Sequence, residues 1–376
     1  MTDNQLQHPQ HSQYNPPSNE GNQMNYITFN QQSTCLAIST NKGFQIYNTH
    51  PFKEIHSHPL PYALSKIAML NRTNLLAFVG NASNPKHTQN KVIIYDASLQ
   101  SDLCEFRFTT KVNNIQLTKD KIFVICETKI FLFDISSFEN IDIIETYENK
   151  KGLIALSNRN GNTIIAHPGK LQGQITIKNI DSFRQDPIII NAHEAKLSCI
   201  SLNRDGSLLC SASEKGTILR VFRTDDGRLV QELRRGSERA EIFSISFDMS
   251  SRFLACSSDR KTVHVFVLDG GNGSGEKVEE LEETKVGNGM EEPKNQKSFL
   301  GKLSSLFGKG SYFNSEWSFA QFRIGDNENQ ALCSFSEKES NVLLIICNSG
   351  KFYEVVFDEK KGGECKKIAE GVVLVK

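Results

Sequence analysis

An all-β fold, a seven-bladed β-propeller of the WD40 type, is what this sequence predicts, on three observations. Short apolar strands separated by Gly, Asn, Asp and Ser turns recur from Tyr26 onward, with no convincing long amphipathic helix between them. A unit of two apolar runs around a polar turn returns seven times. Its closing residues Tyr47, Tyr95, Phe133, Ile177, Phe222 and Phe266 are about 48, 38, 44, 45 and 44 residues apart, near the period of about 40 to 45 of a WD-type blade. The step from Phe266 to Phe357 is about twice as long, and residues 269–311 inside it are too rich in Gly, Glu, Lys and Ser to form an eighth blade. Seven sheets arranged radially leave only short, protected edges.

Taken in order, residues 1–24 are Gln, Asn, His, Pro and Ser with almost nothing apolar, and are expected to be a disordered polar tail. Residues 25–376 are expected to form one propeller. Its copies are Leu36 to Tyr47, Leu75 to Phe78 with Lys91 to Tyr95, Ile122 to Phe133, Thr163 to Ala166 with Gln174 to Ile177, Leu208 to Phe222, Phe253 to Phe266, and Val342 to Phe357. The long step makes residues 269–311 an insertion in blade six.

Formal net charge is zero over 376 residues, which argues against a general polyanion binder such as a non-specific nucleic-acid protein and confines anion recognition to local patches. The nine cysteines are odd in number, lack CxxC spacing and mostly sit in apolar runs, as expected of reduced, buried thiols in a cytosolic protein. The start has no signal-peptide core, and no run approaches the roughly 18 apolar residues of a spanning helix. A soluble, monomeric protein without metal or cofactor is therefore expected.

Within the fifth copy, Arg234 and Arg235 are adjacent on a predicted outer strand, Arg228 to Arg235, and are stopped by Gly236. Side chains of adjacent strand residues point to opposite faces, so one pocket cannot use both. Either the pair serves two anion sites, one on each side of the strand, or it marks a solvated edge whose arginines discourage aggregation.

The neighbours favour two sites. On the hairpin of blade five, Ser211, Ser213, Lys215 and Thr217 cluster with Arg220, and His193 lies just upstream. Blade six offers Ser257, Ser258, Thr262 and His264, with Arg239 beside them. Hydroxyls, an ammonium and guanidinium groups are what a phosphorylated sugar requires. Serine and threonine are also common in propeller turns, so any single hydroxyl here could equally be structural.

At these residues the chain resembles the PROPPINs, or WIPI proteins. The resemblance is carried by Leu233-Arg234-Arg235-Gly236, Ser211-Ala-Ser-Glu-Lys-Gly-Thr217 with Arg220-Val-Phe222, Ser257-Ser258, Thr262-Val-His-Val-Phe266, and Tyr312-Phe-Asn-Ser-Glu-Trp-Ser-Phe-Ala320. It spans about residues 25–370 and is dense from 190 to 325. It implies a seven-bladed propeller that binds phosphatidylinositol 3-phosphate and 3,5-bisphosphate in autophagy. Carried over by position, one site would comprise His193, Ser211, Ser213, Gly216, Thr217, Arg220 and Arg234, with Lys215 close by. The second would comprise Arg235, Gly236, Ser258, Thr262 and His264, with Arg239 and Ser257 as neighbours. A peripheral cytoplasmic protein on preautophagosomal, endosomal or vacuolar membranes is implied, as is a partner of the autophagy lipid-transfer type.

The insertion divides by charge. Residues 276–292 hold seven glutamates against two lysines, and Lys294, Lys297, Lys302 and Lys309 follow without an acid among them. Phe299, Leu300, Leu303, Leu306 and Phe307 would share one helical face flanked by lysines, notably Lys302, and glycines 301, 308 and 310 would keep that helix weak in water. A membrane-contacting segment is expected, with a helix folded onto the propeller or plain disorder as the alternative. The run Gly271-Asn-Gly-Ser-Gly275 is a linker, since Glu276 stands where a GxGxxG loop needs its third glycine. The nine histidines lack metal-ligand spacing and no serine sits in a nucleophile elbow, so no enzyme is expected. The rival function is a WD-repeat scaffold that binds only proteins.

Overall fold

Each repeated unit folds as a four-stranded antiparallel sheet, because its second and third runs are bounded by turn residues that return the chain on itself. The computed structural model describes residues 22–82, 87–159, 161–182, 186–269, 293–297 and 315–373. Seven sheets follow one another, blade one beginning at Met24–Phe29 and blade seven ending at Lys366–Val372. First strands of most successive blades touch one another around the axis. All seven blades contribute to a hollow of about 630 Å³ there. Each predicted closing residue lies on the third strand of its blade, apart from Phe357, which follows the strand Lys351–Val356.

The apolar interior is divided among the gaps between blades. Every gap has its own cluster, for example Leu219, Leu233, Leu254 and Cys256 between blades five and six. Second strands are therefore buried on both faces, as in Cys35–Thr40 and Phe253–Ser258, and read as continuous apolar runs. Outer strands alternate, as Phe52–Pro59 does along its whole length, because one face packs on a neighbour and the other meets water. The ring closes by packing: Phe52 stacks on Phe352 with ring centroids 4.2 Å apart, inside a cluster of Leu36, Ile38, Tyr47, Leu344 and Ile346.

Blades five and six carry additional strands. The insertion separates the third strand of blade six, Thr262–Val267, from its outer strand, Ala320–Arg323. Its described ends form two short strands, Gln296–Lys297 and Glu316–Trp317, which pair with each other, and the latter runs parallel to the outer strand of blade five, Leu229–Arg234. Gly363–Glu364, from blade seven, caps the outer edge of blade six in the same parallel way. Both edges beside the arginine pair are thus covered.

Residues 1–21 of the expected tail lie outside the described residues, and the first strand already includes Met24. Phe299, Leu300, Lys302, Leu303, Leu306 and Phe307 also lie outside them. All nine cysteines are unpaired thiols, eight of them buried. Among the described residues no group of His, Cys, Asp and Glu has metal-binding geometry, and no helix is long and apolar enough to cross a membrane.

Candidate functional site

Strand register sorts the candidate residues. In blade five, Arg220 pairs with Ser211 on one side and Glu232 on the other, while Ile218 pairs with Arg234. Residues opposite one another share a face, so Ser211, Ser213, Arg220, Glu232 and Arg234 all look toward blade four. Leu219 and Leu233 take the other face, in the gap to blade six. The strand ends at Arg234, one residue earlier than expected, but Arg235 keeps the alternation and turns toward blade six.

On the blade-four side, His193 Nε2 lies 2.9 Å from Ser211 Oγ, and Arg220 Nη1 donates to the Ala192 carbonyl at 2.6 Å. Gly173 sets this connection, because its positive φ of 72° and a Cβ that would fall 1.7 Å from the His193 oxygen admit only glycine. Ser211 is fully buried, so its hydroxyl orients the imidazole from behind. Arg220 Nε is already engaged by Glu232 Oε1 at 2.7 Å. Burial, with the Arg220 charge adding to it, holds the His193 pKa down at about 4, so the ring is neutral at neutral pH. Lys215 extends from the turn into solvent, 3.9 Å from Glu194.

Arg234 itself is buried. Its Nε donates to Ser315 Oγ at 2.8 Å, and its guanidinium carbon lies 5.9 Å from the centre of the Trp317 ring. Both partners belong to the returning limb of the insertion. Neither Ser315 nor Trp317 stood among the expected site residues, although Trp317 is the chain's one tryptophan and lies in the Tyr312 to Ala320 motif.

On the blade-six side, Arg235 is buried, with Nε donating to the Gly216 carbonyl at 2.9 Å and Nη2 to the Glu238 carbonyl. The Thr217 carbonyl accepts the Arg235 amide at 2.9 Å. Cys256 pairs with His264 and lies in the gap to blade five, so Ser258, Thr262 and His264 face Arg235. Burial and then the Arg235 charge hold the His264 pKa at about 4, while Nδ1 lies 3.1 Å from Ser318 Oγ. Nothing lies within 4 Å of where a Gly236 Cβ would stand, so the backbone there is open to approach.

Two expected neighbours sit elsewhere. Ser257 takes the opposite face of its strand, donating to the Ala331 carbonyl of blade seven at 2.6 Å and lying 2.7 Å from Ser244 Oγ, and so does not join the cluster. Arg239 is exposed, and its Nε donates to the Glu214 carbonyl at 3.1 Å. Arg260, which the sequence did not single out, reaches the Arg239 carbonyl at 2.7 Å and ion-pairs with Glu238 at 3.4 Å.

On each side of one strand, a buried arginine lies on the same face as a neutral imidazole. Guanidinium groups and hydroxyls in such a setting can hold a phosphate monoester, and no proton transfer is required of them. Fold and site together define a class: a seven-bladed β-propeller that buries two adjacent arginines at the outer edge of its fifth blade. The family sequence model described as PROPPIN matches residues 23–374. The chain therefore belongs to the PROPPIN family, autophagy-related propellers that bind phosphoinositides and act as scaffolds, not as known enzymes. Autophagy-related protein 18 of Yarrowia lipolytica is 31% identical over 93% of this chain and 96% of its own length. SVP1-like protein 2 of Debaryomyces hansenii is 31% identical over 92% of this chain and 87% of its own. Among solved structures, Hsv2 of Kluyveromyces marxianus is similar with a TM-score of 0.72 and 25% identity, covering 94% of this chain and all of that one.

Proposed function

We propose that this chain reads 3-phosphorylated phosphoinositides, phosphatidylinositol 3-phosphate and 3,5-bisphosphate, on preautophagosomal, endosomal or vacuolar membranes, without catalysing a reaction. It docks edge-on through the clefts on either side of blade five. His193, Ser211, Ser213, Lys215, Gly216, Thr217, Arg220 and Arg234 form the first, and Arg235, Gly236, Ser258, Thr262 and His264 the second, with Arg239 at its margin. The observation that carries the reading is that Arg234 and Arg235 are both buried on opposite sides of one strand. Taking two adjacent guanidinium groups out of water is costly, and a solvated edge strand would have no use for it.

Two weak headgroup sites act together, because binding of the first raises the effective concentration of the second on the same membrane. Each basic residue near an anionic surface adds about 1 kcal/mol, and each large apolar side chain of residues 299–307 that enters the acyl boundary adds roughly 1.5 to 3 kcal/mol. A protein partner of the autophagy lipid-transfer type would then meet the faces of blades one to three.

Flotation with liposomes containing phosphatidylinositol 3-phosphate tests this. Arg234→Ala combined with Arg235→Ala abolishes binding while the melting transition persists; undiminished flotation of the folded double variant sinks the proposal.

A further inference from the structure

The returning limb of the insertion does more than close a loop. Glu316–Trp317 runs alongside Leu233 and Arg234 as an extra parallel strand on the edge of blade five. One carboxylate ties its neck together: Glu316 Oε2 accepts from Gln231 Nε2 at 2.8 Å and from Asn295 Nδ2 at 2.9 Å. Asn295 in turn imitates a strand partner for Val267, donating to its carbonyl at 2.6 Å and accepting from its amide at 2.7 Å. The departing limb, the returning limb and the outer strand of blade five are thereby fixed to one another.

We infer that this limb is part of the first cleft, with Ser315 and Trp317 as positioning residues that hold Arg234 in its binding orientation. An arginine on an outermost strand would otherwise sample many rotamers in water. Here the Ser315 hydroxyl fixes Nε and the Trp317 ring offers its negative face to the guanidinium, so the ordering cost is met before a ligand arrives. Headgroup recognition then depends on the insertion even where no membrane is present. A loop whose only work lay in the bilayer would not behave so.

The inference rests on the headgroup reading above, and the test separates the two. Water-soluble dibutanoyl phosphatidylinositol 3-phosphate is titrated calorimetrically into the full chain, without vesicles. Arg234→Gln removes one of two sites; if both persist, the headgroup reading has failed and the inference falls with it. Given that loss, Trp317→Leu weakens the same site at least fivefold and leaves the other unchanged, whereas Trp317→Phe, which keeps an aromatic face, recovers most of the affinity. Wild-type affinity at both sites in Trp317→Leu overturns the inference, as does a Trp317→Phe variant as impaired as Trp317→Leu. Should Trp317→Leu fail to fold, Ser315→Ala removes only the hydroxyl and should weaken that site two- to fivefold; no change there overturns it equally.

Discussion

Arg235 Nε donates to the carbonyl oxygen of Gly216 at 2.9 Å, joining the outer strand of blade five to the hairpin turn beside it. Gly216 has a φ of +60°, and a Cβ on it would fall 1.8 Å from the Ala240 oxygen. The turn that positions the arginine thus tolerates no side chain, while Gly236, one residue beyond Arg235, faces open space.

The two glycines should differ sharply in what a methyl group costs the fold. Gly216→Ala combines a left-handed backbone, about 1 to 2 kcal/mol for a non-glycine residue, with a backbone clash, and should lower the urea midpoint clearly. Gly236→Ala should stay within about 0.5 kcal/mol of wild type, as an uncrowded surface substitution does. Its methyl group would nevertheless occupy the space a headgroup needs, so weaker liposome binding at unchanged stability is expected. Equal urea midpoints for the two variants would refute the distinction.

Adjacent serines of blade six divide in the same manner. Ser257→Ala deletes a hydrogen bond to blade seven and strands the Ala331 carbonyl, a loss of about 1 to 3 kcal/mol with headgroup affinity unchanged. Ser258→Ala, on the face of Arg235, should weaken headgroup binding. Chemical denaturation alongside titration of a soluble headgroup distinguishes them; a binding defect in the folded Ser257→Ala protein would contradict the assignment.

That pair also marks where the sequence stops being legible. Blade number was readable because each blade repeats the same buried second strand, and the opposed directions of Arg234 and Arg235 followed from a strand period of two. Which of two neighbouring serines faces blade five depends on which side of Phe253–Ser258 meets that blade, and both sides are apolar. The support of Arg234 by Ser315 and Trp317 was harder still. It is a parallel pairing between segments some 80 residues apart in sequence, and such pairing leaves no local pattern. The lone tryptophan, within the Tyr312 to Ala320 motif, was the available hint.

Stability should fall on acidification. His167, His193 and His264 each have a native pKa held at about 4, chiefly by burial, against an ordinary value near 6.5. Between those values the unfolded chain holds protons that the native chain does not, so lowering the pH favours unfolding. Their contribution is intact above about pH 6.5 and is lost toward pH 4. His193→Gln, which can still meet Ser211, removes one titrating group and should flatten the decline of melting temperature between pH 6.5 and 4. An unchanged slope would show that His193 titrates normally in the folded protein.

Glu232 supplies a prediction of opposite sign, a gain of binding. Its carboxylate is only 13% exposed and engages Arg220 at 2.7 Å, so it neutralises part of the charge offered to an anion in the first cleft. A phosphate held by Arg220 would lie within several ångströms of that carboxylate, and like charges at such distances near a protein surface repel by kcal/mol amounts. Glu232→Gln retains an oxygen acceptor for Arg220 Nε while removing the negative charge. It should therefore tighten headgroup binding at the first cleft about three- to tenfold, most visibly at low ionic strength where screening is weak. Glu232→Ala removes the acceptor too and releases the guanidinium, so its gain should be smaller or absent. If Glu232→Gln binds a soluble headgroup more weakly than wild type, the carboxylate is needed to orient Arg220, and its alignment outweighs its charge.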